Sequence, residues 1–166
     1  MSQSEKESAL GLLKKARLFN GCTSQELADI NNICQKTVFK KGETIFEAKS
    51  PAKNLYIVIE GVIDLRFEVT YLQSTEEITL DRKLTGEAFG WSALSKPHTY
   101  TLSAYAEKDA ELFMIAAKDI KGLSENNNHL GYILMNNIAE IIAERFAAVQ
   151  NIVIDIIQQN LRDKEL

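Results

Sequence analysis

The chain has 166 residues and only two cysteines, Cys22 and Cys34. Two thiols cannot form a disulfide framework, and their spacing is not that of a zinc pair. An iron–sulfur cluster would need about four. Cys34 falls on the apolar face of an expected helix with Leu27, Ile30 and Ile33, where it reads as a small buried hydrophobe. No apolar run approaches the roughly 20 residues that cross a bilayer, so no membrane partner is expected. The N-terminus, Met1 to Glu7, is polar and acidic and lacks the basic start and apolar core of a secretion signal. The expected location is the cytoplasm. A basic excess is also missing: 19 Lys and Arg stand against 23 Asp and Glu, a net charge of -4. Such a chain is a poor general binder of phosphate backbones, and no nucleic-acid partner is expected. Lys40-Lys41 is too short a basic run to change that and reads as a solvated turn. There is no nucleophile–base pair recognisable from spacing, no metal-ligand cluster and no glycine-rich Walker or Rossmann loop. Neither an enzyme, a metal site nor a cofactor is expected.

What is present is an ordinary globular balance, 45% hydrophobic and 25% charged, enough for one domain with a substantial core. Glu5 to Leu18, with Leu10, Leu13 and Ala16 at helical spacing, predicts a short helix ended by Asn20-Gly21. Thr23-Ser24-Gln25-Glu26 has the form of a capping box, opening a helix that runs to about Cys34. The pattern turns to β near Lys36. Thr37-Val38-Phe39 and Thr44-Ile45-Phe46 flank a turn at residues 40–43, and residues 49–54 form a loop. Between Leu55 and Phe67 the odd positions Leu55, Ile57, Ile59, Ile63, Leu65 and Phe67 are apolar, with Glu60, Asp64 and Arg66 opposite. That period of two predicts strands with one buried face, interrupted by a turn or bulge at Gly61. Gln73 to Glu77 reads as a hairpin tip, and Ile78-Thr79-Leu80 resumes the strand. Tyr100 to Ala106 and Glu111 to Ala116 add two more. Seven or eight short strands at this spacing predict an all-β barrel or roll.

The last third is helical in pattern. After Ser124 to Asn128, a natural start, residues 130–161 contain no proline and only Gly131, and about thirty helical residues span roughly 45 Å. Met135, Ile138, Ile142, Val149, Ile152 and Ile156 recur at steps of three and four, with Arg145 at one seam position. Ile141, Phe146, Val153 and Ile157 widen the apolar surface. Its width and reach predict a coiled-coil homodimer through this helix, the alternative being a helix folded back on the roll.

Three stretches then fall together: Lys41 to Phe46, Asn54 to Ile63, and Leu84-Thr85-Gly86-Glu87-Ala88-Phe89-Gly90. In this order and with these gaps the chain, over roughly Leu18 to Ala117, resembles the cyclic-nucleotide-binding domain of catabolite-activator-type regulators and of kinase regulatory subunits. The resemblance implies a mainly β fold with flanking α: a double-stranded β-helix or jelly roll plus a long C-terminal helix. It divides the chain into N-terminal helices at 1–35, the roll at 36–118 and a C-terminal helical segment with the dimerisation helix at 119–166. In the bacterial regulators of this family a helix-turn-helix domain follows the long helix. None is left before Leu166, which adds to the expectation of no nucleic-acid partner.

The resemblance places a ligand against Gly86, Glu87, Phe89, Gly90, Trp91, Ser92, Ala93, His98, Thr99, Tyr100 and Thr101. In the family a short helix after Phe-Gly turns its amides toward the cyclic phosphate. A Glu directly after Phe-Gly takes the ribose hydroxyl, and an Arg after a Pro supplies the charge. Here the Glu position holds Trp91, and the Arg position falls at His98 or, with a one-residue shift, Thr99. No arginine lies between Arg82 and Arg145. Losing a buried guanidinium–phosphate contact costs on the order of 2–5 kcal/mol, or roughly thirty- to several-thousand-fold in affinity. Trp91 has two readings, an aromatic wall for a different ligand or a plug in the vacated pocket. His98 also stays open between an anion donor, a haem ligand as in some relatives, and a solvated turn residue. Tyr105 reads as core or pocket rim, His129 as simply near a helix end, and Glu87 as part of the local turn.

The reading is a non-enzymatic sensory or regulatory module with weak or no cyclic-nucleotide binding, its present ligand, if any, being a different small molecule that is less anionic or bound more weakly. Its ligand and protein partner are unnamed by the sequence. The alternatives are a pure interaction and dimerisation module with a filled pocket, and a genuine cyclic AMP or cyclic GMP receptor with an unusual loop.

Overall fold

The computed structural model describes residues 3–72 and 74–162. Helix α1 spans Gln3–Lys15, and a single 3-10 turn, Arg17–Phe19, replaces the end of the expected helix. Leu13, Ala16, Leu18 and Phe19 are all buried there. Helix α2, Ser24–Ile33, opens on the expected capping box. The Thr23 hydroxyl accepts from the Glu26 amide at 3.2 Å, and the Glu26 carboxylate accepts from the Thr23 amide at 2.7 Å.

Eight strands follow among the described residues: β1 Cys34–Phe39, β2 Thr44–Phe46, β3 Asn54–Glu60, β4 Ile63–Tyr71, β5 Ser74–Lys83, β6 Ala88–Phe89, β7 Ser103–Ala106 and β8 Ala110–Ala116. They form two four-stranded sheets, ordered β1-β8-β3-β6 and β2-β7-β4-β5, with every pairing antiparallel. This is the expected mainly β roll with flanking helices.

Several expectations need correction. Cys34 does not sit on a helix face; it is buried as the first residue of β1, paired with Ile115. Strand β3 is buried on both faces, because it is an inner strand. Tyr56 and Val58 point into the roll with Phe89, Ala104 and Leu112, while Leu55 and Ile57 face the helices with Leu13, Phe19 and Ile30. The alternation read as inside versus outside is therefore roll-side versus helix-side. The hairpin tip is shorter than expected, since β5 already begins at Ser74; Gln73 lies outside the described residues. Tyr100 to Leu102 lie ahead of β7 and belong to the preceding loop. Gly61, between β3 and β4, has φ +104, and a Cβ there would lie 2.6 Å from the Asp109 carbonyl oxygen, so only glycine fits.

Helix α3, Ala117–Asn126, follows β8 directly, a helix that sequence periodicity did not signal. Helix α4 then runs over Asn128–Arg162, 35 residues. The Asn127 side chain caps it, accepting from the Leu130 amide at 3.1 Å. The first half packs on the domain through Leu130, Leu134, Asn137 and Ile138. Asn137 donates to the carbonyls of Leu18 and Asn20, each at 2.9 Å, pinning α4 to the 3-10 turn. A second tie is Glu26, which also accepts from Asn127 at 2.9 Å and pairs with His129 at 2.8 Å. His129 is thus more than a residue near a helix end. Burial alone would raise the Glu26 pKa. The hydrogen bonds from Thr23, His129 and Asn127 win and bring it down to about 2.

Candidate functional site

The segment expected to hold a ligand begins with a tight turn. The Gly86 amide donates to the Val58 carbonyl at 2.8 Å, and the Glu87 carboxylate accepts from the Leu84 amide at 2.8 Å. Glu87 thus has the local turn role read from its position. Gly90 takes φ +78 so that the chain can leave β6, and a Cβ there would meet the Asn54 carbonyl at 3.1 Å and the Tyr56 ring at 3.3 Å. A one-turn 3-10 helix, Trp91–Leu94, follows. The loop ends in a cis Lys96–Pro97 bond and a left-handed His98 at φ 57.

The expected site residues separate into several environments. Gly90, Trp91, Ser92, Tyr100 and Thr101 line a cavity inside the roll, together with Phe46, Leu65 and Arg145. Its volume is only about 20 Å³, room for a single water. Gly86, Glu87 and Trp91 border a different cleft of about 530 Å³, between β5 and α4. Ala93 and His98 face neither; they line a groove of about 920 Å³ behind the loop, against α3 and α4. Phe89 is a core residue, fully buried and stacked on Tyr56 at 5.3 Å. Thr99 makes a bridge to Pro51 at the edge of the loop.

Two side chains wall the small roll cavity. Tyr100 lies flat on Phe46, ring centres 3.7 Å apart and planes 10° apart, and its hydroxyl donates to the Asn54 carbonyl at 2.6 Å. Burial pushes that hydroxyl up to about 12, so it remains a protonated donor. Trp91 forms the other wall, with the Arg145 guanidinium 5.3 Å from its ring centre. Arg145 in turn binds the Asp81 carboxylate at 2.7 Å. The His98 ring is held by the Ala93 carbonyl at 3.1 Å, on the far side of the loop from the cavity.

Among the described residues, Arg17, Arg66 and Arg82 are already engaged in ion pairs and do not replace the missing charge. Arg66 and Arg82 both bind the buried Asp64, at 3.1 and 2.7 Å. Burial would raise the Asp64 pKa, but the two guanidinium groups lower it below the usual carboxylate range. Arg17 is paired with Glu144. Among the described residues, no group of three or more His, Cys, Asp or Glu is placed to hold a metal, and no helix is long and apolar enough to cross a membrane.

The residues expected at the dimer surface also divide. Ile138 is buried in its own chain's core, and Arg145 turns to Asp81 and Trp91. Met135, Ile142, Val149, Ile152 and Ile156 are each between 41% and 51% exposed. Sequence reasoning set Arg145 at a helical seam and did not connect it with the loop. Its one signal was a lone charge in an apolar stripe; Asp81 gave none.

Residues 36–127 match the cyclic nucleotide-binding domain family. A protein from Geobacter metallireducens GS-15 described as cyclic nucleotide-binding has a crystal structure 33% identical to this chain, with a TM-score of 0.67, covering 88% of this chain and 99% of that one. The catabolite activator protein of Thermus thermophilus is 25% identical with a TM-score of 0.69, over 82% of this chain and 63% of that one. Among curated proteins, Glutaminase 1 of Bradyrhizobium diazoefficiens is 26% identical over 145 residues, 87% of this chain. The chain spans only 22% of that protein's length. The family match, the Geobacter structure and the two-sheet roll agree, and the chain belongs to the cyclic nucleotide-binding domain family.

Proposed function

We propose that this member is a non-enzymatic regulatory module whose inherited pocket is largely filled by its own side chains, so that cyclic nucleotides bind weakly or not at all. The observation that carries this is the cavity of about 20 Å³ between Trp91, Tyr100 and Arg145. A ligand site of ordinary size has some 300–1,000 Å³. The charge argument agrees, since the position expected to hold arginine falls at His98, turned to the back of the loop, or at Thr99, which carries no charge. The readout element is α4, whose far half exposes Val149, Ile152, Val153, Ile156 and Ile157 and fits pairing with a second copy. On this reading the N-terminal helices, the roll and the C-terminal helical segment serve as brace, sensor frame and output.

Calorimetric titration with cyclic AMP and cyclic GMP tests the reading. No saturable heat up to millimolar nucleotide is expected, and binding at micromolar concentrations would overturn it. One observation favours a second reading, a true nucleotide receptor: Arg145 lies at the edge of the cavity and would offer a cation if it left Asp81. In that case Arg145→Ala would abolish the micromolar binding.

A further inference from the structure

The groove behind the loop has no part in the family-type pocket, and its chemistry is distinctive. Its floor is apolar, built from Ala52, Ala93, Leu94, Ile120, Leu134 and Met135. Lys53, Lys96, Lys118 and Lys121 line it, against a single acid, Glu125. Glu125 reaches only Lys121, at 4.0 Å. Among the described residues Lys53, Lys96 and Lys118 have no ion-pair partner. The groove is therefore locally basic in a chain whose net charge is -4. These lysines come from three separate parts of the fold: the approach to β3, the turn after the 3-10 helix, and α3.

We infer that this groove binds a small anionic amphiphile, with a phosphate or carboxylate held by the lysines and an apolar body on the floor. Charge complementarity argues for the head group: Lys53, Lys96 and Lys118 edge the same groove, exposed and, among the described residues, without ion-pair partners, and an anion seated there would supply the opposite charge. The apolar floor argues for the body, because a bare anion would leave Leu94 and Met135 uncovered. The size, about 920 Å³, argues for a small molecule, since it falls within the range of such sites. A bound amphiphile would bridge the back of the loop, at Ala93 and His98, to α3 and to the base of α4. It would couple to the same helix as the roll pocket without entering that pocket, so the assignment does not depend on whether cyclic nucleotides bind.

The test is a two-dimensional NMR titration of the full chain with dodecyl phosphate below its micelle concentration, with dodecyltrimethylammonium as the opposite-charge control. Shifts are expected at Lys53, Ala93 to His98, Lys118 to Lys121 and Gly131. Lys96→Glu/Lys118→Glu should weaken binding by at least tenfold, one charge-assisted contact being worth about that much. Lys53→Glu, on a different element, should act in the same direction with an unchanged circular dichroism spectrum. Co-sedimentation with phosphatidylglycerol vesicles, lost in the double variant, would assign the head group to a lipid surface; binding of the monomer alone assigns a free solute. The proposal is overturned if the double variant binds as the parent does. Equal binding of the cationic control, or shifts centred on residues 146–162, would overturn it as well.

Discussion

The guanidinium of Arg145 covers the ring of Trp91, 5.3 Å from its centre, while binding Asp81 at 2.7 Å. One side chain therefore joins α4 to the loop and to β5 together. Trp91 is the only tryptophan in the chain, so its emission reports on this junction.

Arg145→Ala should loosen the junction. The cation–π contact contributes about 0.5–2 kcal/mol, and a partly exposed ion pair adds up to about 1. A loss of roughly 1–2 kcal/mol in urea denaturation is expected, with a red-shifted Trp91 emission as water reaches the ring. Swapping the charges, Asp81→Arg with Arg145→Asp, should recover the ion pair but not the spectrum. Unchanged emission in Arg145→Ala would show that the guanidinium does not shield Trp91.

The parts of this architecture that were legible in the sequence are the local ones. Thr23 and Glu26 announce a helix start because both partners of a capping box lie within one turn. The Phe89-Gly90 step announces the loop through the family resemblance, and the structure puts Gly90 in the left-handed region. Strand β3 was read as one-sided because periodicity cannot say that a second layer covers the other face; only the positions of α1 and α2 reveal it. Helix α3 was missed because it follows β8 without a break or a capping side chain. The small volume of the roll cavity was illegible for a related reason. Trp91 was noticed, but the stacking of Tyr100 on Phe46 and the arrival of Arg145 are contacts across 54 residues of sequence in each case, which no spacing rule encodes.

Tyr100 should be a stability residue. Tyr100→Phe keeps the stack on Phe46 but removes the 2.6 Å donor to the Asn54 carbonyl, a loss of about 1–3 kcal/mol if that carbonyl is left dry. Tyr100→Ala removes both and should cost about 3–5 kcal/mol, as for other large aromatic truncations. Equilibrium denaturation of the two variants checks the ordering. Equal stability of Tyr100→Ala and the parent would mean that the ring does not fill the roll.

Acid stability should depend on Glu26. Its folded-state pKa of about 2 lies below the ordinary value of 4.5, so the stabilisation is fully present above about pH 4.5. It is lost as pH falls toward 2. A difference of that size corresponds to roughly 3 kcal/mol. Urea denaturation at intervals from pH 6 to pH 2.5 should show the parent losing more stability than Glu26→Gln, which is weaker at neutral pH but lacks this titration. Parallel curves for the two proteins would show that Glu26 is not the group responsible.

The far half of α4 supplies the last prediction. Residues 146–162 extend roughly 25 Å. Phe146, Val153, Ile157 and Leu161 are at least 48% exposed, as are Ile152 and Ile156. An isolated helix of that length is marginal in water and gains its stability from burying an apolar face. A second α4 offers such a face, so light scattering should give a mass twice the 18.6 kDa of the chain. The melting temperature should then rise with protein concentration, as linkage to association requires. Ile152→Asp/Ile156→Asp places two carboxylates on that face, where pairing would bury them beside their counterparts on the other copy. The variant should run as a monomer with a concentration-independent melting temperature, its roll intact because neither side chain belongs to a buried core cluster. A parent that scatters as a monomer at millimolar concentration would sink the dimer and leave this apolar surface to a different partner.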